Sequence, residues 1–337
     1  VRILAAFFSK GYAFHDDHFD VIRVAQDWVS GIPHWVADGI PPNHSMFYAG
    51  INAFFIYLLE AIGITDPQYK MVFIRLIHAL YSMLIVYYGY KITERFGKKE
   101  DAIIVGLMLS LLWFMPYLGV KNLVEMVCIP PLMAAFYQVL KNDTKSRDWL
   151  IAGLLMGLSF TFRYHVVIFA GGLGLVMLFR KQLVPAVFFT IGFLISAFLV
   201  IGVIDMFFWE YPFQSIISYF LYNTENAYNY STGPIYRFFL TVIGFTVIPV
   251  SIFLLFGYFK GWKVSKEMML AASLFFIIHS LFPNKQERFI VPFFPFFIIL
   301  GVVGWNKIIA NTEKYKMAIR ASWWFFWSLN ILATLAL

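Results

Sequence analysis

Residues His15-Asp16-Asp17-His18-Phe19-Asp20 place three carboxylates and two imidazoles in one short stretch of a chain in which only 13% of residues are charged. Charge at that density is expensive to keep at a membrane surface, so its default reading is functional. Asp16 or Asp17 can take the proton of an incoming hydroxyl if it lies within hydrogen-bond reach. The other carboxylate can position a substrate or cap a helix start. A solvated acidic loop is the competing reading. His15 and His18 can donate to a substrate phosphate or, with the aspartates, ligate a metal. No further His or Asp cluster supplies a fourth ligand, so the expectation is substrate contact and no metal.

Asn284-Lys285-Gln286-Glu287-Arg288-Phe289 is a second charged stretch, set in a very short loop. Lys285 and Arg288 together can clamp a phosphate, Arg by its two-pronged fork; a solvated turn after Pro283 is the alternative. Arg163 lies between two short apolar runs, as if at the turn of a broken helix. An ionisable group at that depth is either functional or snorkelling from a helix end. Glu125, following Lys121, stands at the start of an apolar run, where the helix dipole favours it; substrate contact is the lesser reading. Tyr228 and Asn229, with Tyr230 and Ser231, form an aromatic and amide-rich loop of the kind that faces carbohydrate, although Tyr is also an ordinary interface anchor. No phosphate-binding glycine loop or nucleophile elbow is present, so no cofactor is expected. The lone Cys128 sits in an apolar run and reads as a packing residue.

The elements that must carry these residues are membrane helices. Of 337 residues 61% are hydrophobic, whereas soluble chains carry about 25% charged residues. At about 20 residues per crossing, a single all-α transmembrane domain over residues 1–337 holds about ten helices after a first external loop at 10–66. Apolar runs fall near 69–90, 102–118, 122–140, 149–162, 165–179, 183–207, 235–259, 268–282, 289–305 and 318–337. Every second loop between them is basic: Lys91 to Lys99, Lys141 to Arg147, Arg180 and Lys181, Lys260 to Lys266, and Lys307 to Arg320. The positive-inside rule puts these in the cytoplasm. The net charge of +7 is then mostly topological, and no nucleic-acid partner is implied. The acidic stretch, Arg163, Glu125, the 209–234 loop and Pro283 to Arg288 share the other face.

Within the first external loop, Val21, Ile22, Val24, Ala25, Trp28 and Val29 have helical spacing, and Gly31-Ile32-Pro33 ends that helix. Ser45 to Ile64 is long enough to span, but a span there would reverse every later loop; it reads as a second interfacial or re-entrant helix. Asn43-His44-Ser45 and Asn229-Tyr230-Ser231 are sequons that matter only in a eukaryotic lumen. Val1 to Ser9 is too short to span and Trp323 to Leu337 ends without a polar flank, so both ends read as incomplete.

These motifs, in this order, resemble the polyprenyl-phosphate-mannose-dependent α-mannosyltransferases, glycosyltransferase family 22. Members leave their first span with a His-Pro-Asp-Glu-x-Phe-Gln motif. Aligned on Phe19, Asp16 falls on its Asp and Asp17 on its Glu. A late His-Lys-Glu-x-Arg-Phe motif is similar to Asn284 to Phe289: Lys285, Arg288 and Phe289 match, while Asn284 replaces His and Gln286 replaces Glu. Arg163 falls where the family has an Arg after a short span. The resemblance implies a GT-C fold with two interfacial helices and an aspartate base in the first external loop. It also implies a polyprenyl or dolichyl phosphate mannose donor, a glycan or glycolipid acceptor, inversion at the anomeric carbon and no required metal. On that expectation Asp16 is the base, and Lys285 and Arg288, with Arg163, bind the leaving phosphate. The expected setting is a bacterial inner membrane, with the endoplasmic reticulum as the alternative. Two other classes stay open. A transporter or flippase would show related halves, and none is visible. A non-catalytic scaffold is permitted by the Asn284 and Gln286 departures.

Overall fold

A computed structural model of the protein describes residues 1–35, 46–310 and 316–336; the sequon at Asn43 and the basic residue Lys314 lie outside these. The described chain is helical, with one isolated antiparallel bridge, Thr232 to Asn284. In chain order the helices are α1 (Arg2–Phe8), α2 (15–29), α3 (Met46–Ala61), α4 (Pro67–Phe96), α5 (Lys99–Leu111), α6 (Phe114–Leu118), α7 (Val124–Val139), α8 (Ser146–Phe162) and α9 (Tyr164–Phe179). They continue with α10 (Leu183–Phe208), α11 (Gln214–Glu225), α12 (Arg237–Phe245), α13 (Val250–Lys263), α14 (Lys266–Leu281), α15 (Glu287–Ile309) and α16 (Lys316–Ala336).

Among the described residues three helices are long and apolar enough to cross a membrane: α4, α10 and α15. They differ in place. Of the apolar stretch of α15, 83% is buried inside the protein, against 33% for α4 and 28% for α10. Helix α15 is therefore the central post of the bundle, and every residue from Phe294 to Gly304 is buried. Phe136 of α7 and Phe169 of α9 pack on Phe296, and Phe275 of α14 stacks on Phe169. Lipid is as apolar as these side chains, so helices associate here by close packing rather than by hydrophobic expulsion. Glycines make that possible. A Cβ on Gly257 of α13 would lie 1.9 Å from the carbonyl oxygen of Gly301, and one on Gly304 would lie 2.0 Å from that of Gly257.

Two expected spans are broken. The 235–259 run is the pair α12 and α13, bent by 118° at a break of four residues. Pro249 lacks the N–H a continuing helix needs and disfavours helical backbone before it, and Val247 takes φ +57°. The 102–118 run ends at Leu111 and resumes as the short α6.

The described residues of the 10–66 segment include the two expected helices. Helix α2 opens as an α-turn (His15–Asp17), passes through a π-helical stretch (His18–Arg23) and closes as Val24–Val29. Its inner face is Asp17, Val21, Ile22, Val24 and Ala25. Gly31, at φ +79°, turns the chain away. Gln26 of α2 donates to Glu60 of α3 at 3.0 Å and accepts from Lys70 of α4 at 3.0 Å, and Lys70 also pairs with Glu60. Asp66 caps α4 by accepting from the Gln68 N–H at 2.7 Å, with Pro67 in the first turn. Lys121 donates to the carbonyls of Ser9 and Gly11 at 2.8 Å each, anchoring the approach to α2.

Candidate active site

Five charged side chains from four places in the sequence meet at one end of α15: Asp16, Asp17, Glu125, Arg163 and Arg288. Each is placed by a helix terminus. Asp16 and Asp17 open α2, Glu125 opens α7, Arg163 stands between α8 and α9, and Arg288 lies in the 3₁₀ turn (Glu287–Phe293) that begins α15. Helix ends bring backbone to the membrane surface, and their unpaired N–H groups suit carboxylates.

Arg288 is the hub. Its Nη2 donates to Asp16 Oδ2 at 2.8 Å, its Nη1 donates to Asp17, and its Nε donates to Gln286 Oε1 at 2.8 Å. Glu125 lies 3.9 Å from Arg288 Nε and 3.2 Å from Arg163 Nη2. Both guanidinium groups sit over the Phe289 ring, at 5.0 Å for Arg163 and 5.6 Å for Arg288. Gln286 thus uses an amide oxygen where the family motif has a carboxylate oxygen.

Burial separates the three carboxylates. Glu125 is 1% exposed and Asp17 is 4% exposed at the side chain, whereas Asp16 is 48% exposed. Asp17 also accepts from the Val124 N–H at 3.2 Å, and its backbone carbonyl accepts from Asn122. Glu125 and Arg163 neutralise one another, as do Asp17 and Arg288. The surplus negative charge falls on Asp16, at the open edge. A buried pair of this kind cannot lose one member cheaply; removing a partner costs about 3–5 kcal/mol.

Asp16, Asp20, Arg163 and Arg288 line a cavity of about 190 Å³, with Gln286 and Phe289. Its far wall is Tyr219, Tyr222 and Asn223 of α11, with Tyr230 and Asn284. The loop before α12 is held against this site. Lys285 N–H donates to the Ser231 carbonyl at 2.7 Å, Thr232 bridges to Asn284, and Arg237 pairs with Glu287 at 2.6 Å.

Several residues picked from the sequence stand elsewhere. Lys285 is 1% exposed, and its ammonium donates to the carbonyls of His279, Ser280 and Phe282. It caps the end of α14 and does not line the charged cavity, because the last carbonyls of a helix need donors. Burial, and next to it Arg237, lower its pKa from the ordinary lysine value. His15 stacks on Phe19 at 4.3 Å and His18 on Tyr12 at 5.5 Å, outside the cavity wall. Burial, then His15 and Lys121, hold the His18 imidazole below its ordinary pKa, which favours the neutral ring. Tyr228 is 79% exposed and Asn229 donates to Asn226 at 2.7 Å; their neighbour Tyr230 reaches the cavity instead and bonds Tyr222. The wall of α11 was missed in the sequence. Its signal is the i, i+3, i+4 spacing of Tyr219, Tyr222 and Asn223 just before the aromatic loop. Among the described residues no group of three or more His, Cys, Asp or Glu is arranged to hold a metal ion.

A further apolar cavity, of about 740 Å³, shares no lining residue with the charged one among the described residues; Trp28, Ile32, Phe47, Phe54 and Phe208 contribute to it.

Compared with known families, the sequence matches the one described as Glyco_transf_22, Alg9-like mannosyltransferase family, over residues 1–337. The chain belongs to the Alg9-like mannosyltransferase family. No curated protein matches it. Among solved structures, ArnT from Cupriavidus metallidurans bound to undecaprenyl phosphate superimposes with a TM-score of 0.64 at 17% identity, covering 96% of this chain and 60% of that one. The apo form of the same protein gives 0.58 at 16% identity, covering 90% and 57%. The Archaeoglobus fulgidus oligosaccharyltransferase tethered with an acceptor peptide gives 0.54 at 12% identity, covering 99% and 53%. The chain therefore spans only 53–60% of the length of these structures. It is a multi-pass membrane protein, and its fold is GT-C, as in ArnT.

Proposed function

We infer that this Alg9-like family member moves a hexosyl group, mannose, from a polyprenyl phosphate to a glycan or glycolipid acceptor on the exoplasmic or luminal face. The observation that carries the reading is Arg288 held between Asp16 and Asp17 in a cavity at a helix-bundle end. Family membership supports the mannosyl group. The undecaprenyl phosphate bound to ArnT supports a polyprenyl phosphate carrier, and the 740 Å³ apolar cavity offers room for an isoprenoid chain.

In this mechanism the donor phosphate takes the Arg288 Nη2 edge that Asp16 occupies, with Arg163 close by. Asp16, released from that pair, accepts the proton of the acceptor hydroxyl. The hydroxyl oxygen bonds to the anomeric carbon as the bond from that carbon to the phosphate oxygen breaks, with inversion. Polyprenyl phosphate leaves with the electron pair. Charge grows on the leaving phosphate, so fixed guanidinium donors stabilise the transition state more than the ground state. Asp17 and Glu125 hold the two guanidinium groups in place.

The test is purified full-length chain incubated with polyprenyl phosphate mannose and a panel of mannose-terminated glycans. The expected result is one equivalent of polyprenyl phosphate released per new glycosidic bond. Polyprenyl phosphate mannose left intact with every acceptor would overturn the reading.

A further inference from the structure

Tyr219, Asn223, Asn284 and Phe289 form a wall common to the charged cavity and to a neighbouring cavity of about 270 Å³. His165, Thr224 and His279 complete the polar part of that second cavity. His279 is 5% exposed, and its Nδ1 lies 2.8 Å from the Phe275 carbonyl. A carbonyl oxygen only accepts, so Nδ1 carries the hydrogen and Nε2 presents a lone pair. Nε2 is buried without a hydrogen-bond partner, and so is Oδ1 of Asn284, a residue also 5% exposed. Two buried acceptors on one cavity are costly unless donors come to them. An isoprenoid chain has no such donor. A sugar ring presents several hydroxyls, its C–H face suits the Phe289 and Tyr219 rings, and the cavity has room for a single ring.

We propose that this cavity is a pyranose subsite in which sugar hydroxyls donate to His279 Nε2 and Asn284 Oδ1. The inference rests on the lipid-linked glycosyl transfer reading and names where a sugar sits. That sugar is either the transferred group of the donor or the terminal residue of the acceptor. The hydrogen-bond chemistry is the same for both.

The experiment uses purified full-length chain, wild type and the variants His279→Phe, His279→Gln and Asn284→Ala. Affinity is measured for polyprenyl phosphate and for polyprenyl phosphate mannose, and KM is measured for methyl α-mannoside as acceptor. His279→Phe, at a residue outside the charged cavity, should bind polyprenyl phosphate as wild type does, and both His279→Phe and Asn284→Ala should lose about fivefold or more where the sugar sits. A loss confined to polyprenyl phosphate mannose assigns the donor sugar; a loss confined to methyl α-mannoside assigns the acceptor. His279→Gln, which keeps an acceptor atom, should recover part of the loss. Variants equal to wild type on both sugars would overturn the subsite, as would an equal loss by His279→Phe toward sugar-free polyprenyl phosphate. Wild type that binds no polyprenyl phosphate would instead sink the parent reading, and this inference with it.

Discussion

The charged residues carry different parts of the account according to what their polar atoms touch. Asp16, Asp17 and Arg288 stood out in the sequence because charge is scarce in the chain, and the fold brings all three together. Lys285 stood out for the same reason, yet its ammonium is consumed by three helix-end carbonyls. A lysine aimed into a cavity and a lysine capping the preceding helix have the same sequence. Lys285→Met should therefore lower stability by about 1–3 kcal/mol through uncovered carbonyls and leave the donor KM unchanged. Thermal unfolding in detergent beside donor kinetics checks this; a raised donor KM at unchanged stability would return Lys285 to the phosphate. Arg288 behaves in the opposite way. Arg288→Lys keeps the charge but loses the fork that spans Asp16 and Asp17. Donor KM should rise about tenfold or more with acceptor KM little changed. A lysine variant with wild-type donor kinetics would remove the guanidinium from the mechanism.

At the scale of elements, the helices α2 and α3 were legible from apolar spacing. The broken spans were not read out, because an apolar count averages over residues such as Pro249, which marks the break between α12 and α13. Helix α11 escaped because its mixed polar and aromatic face resembles an ordinary interface anchor. What seats α13 on α15 is contact between backbones, through Gly257, Gly301 and Gly304. Composition shows those glycines but not that they face each other. Gly257→Val puts side-chain atoms where the Gly301 carbonyl lies and should cost about 1–3 kcal/mol or more. Because Arg288 lies in the first turn of α15, the loss should reach activity as well as the melting temperature. A variant that melts with wild type would show that the helices do not need this approach.

For the whole molecule, the alternation of basic loops predicts that the site chemistry lies on one face of the membrane and the basic loops on the other. Family membership and the GT-C fold followed from motif order, since no single motif was specific enough alone. Cys128 is fully buried, so introduced cysteines report on topology without competition. A cysteine at Ser231 should react with an impermeant thiol reagent in intact cells, and one at Ser146 should react only after the membrane is opened. The reverse pattern would invert the assignment of faces and place the cavity in the cytoplasm.

The central claim is that Asp16 is the general base, because it lines the cavity and is the exposed one of the two carboxylates held by Arg288. The decisive measurement is turnover of Asp16→Asn and Asp17→Asn with saturating donor, each with its melting temperature. A general base contributes about 10²–10⁴-fold. Asp16→Asn should keep its fold and its donor affinity and lose at least about 10²-fold in turnover. Asp17→Asn should lose less turnover and more stability, since Asp17 ties the Val124 N–H and Arg288 together. Full turnover in Asp16→Asn, or a dead Asp17→Asn that folds normally beside an active Asp16→Asn, would contradict the account.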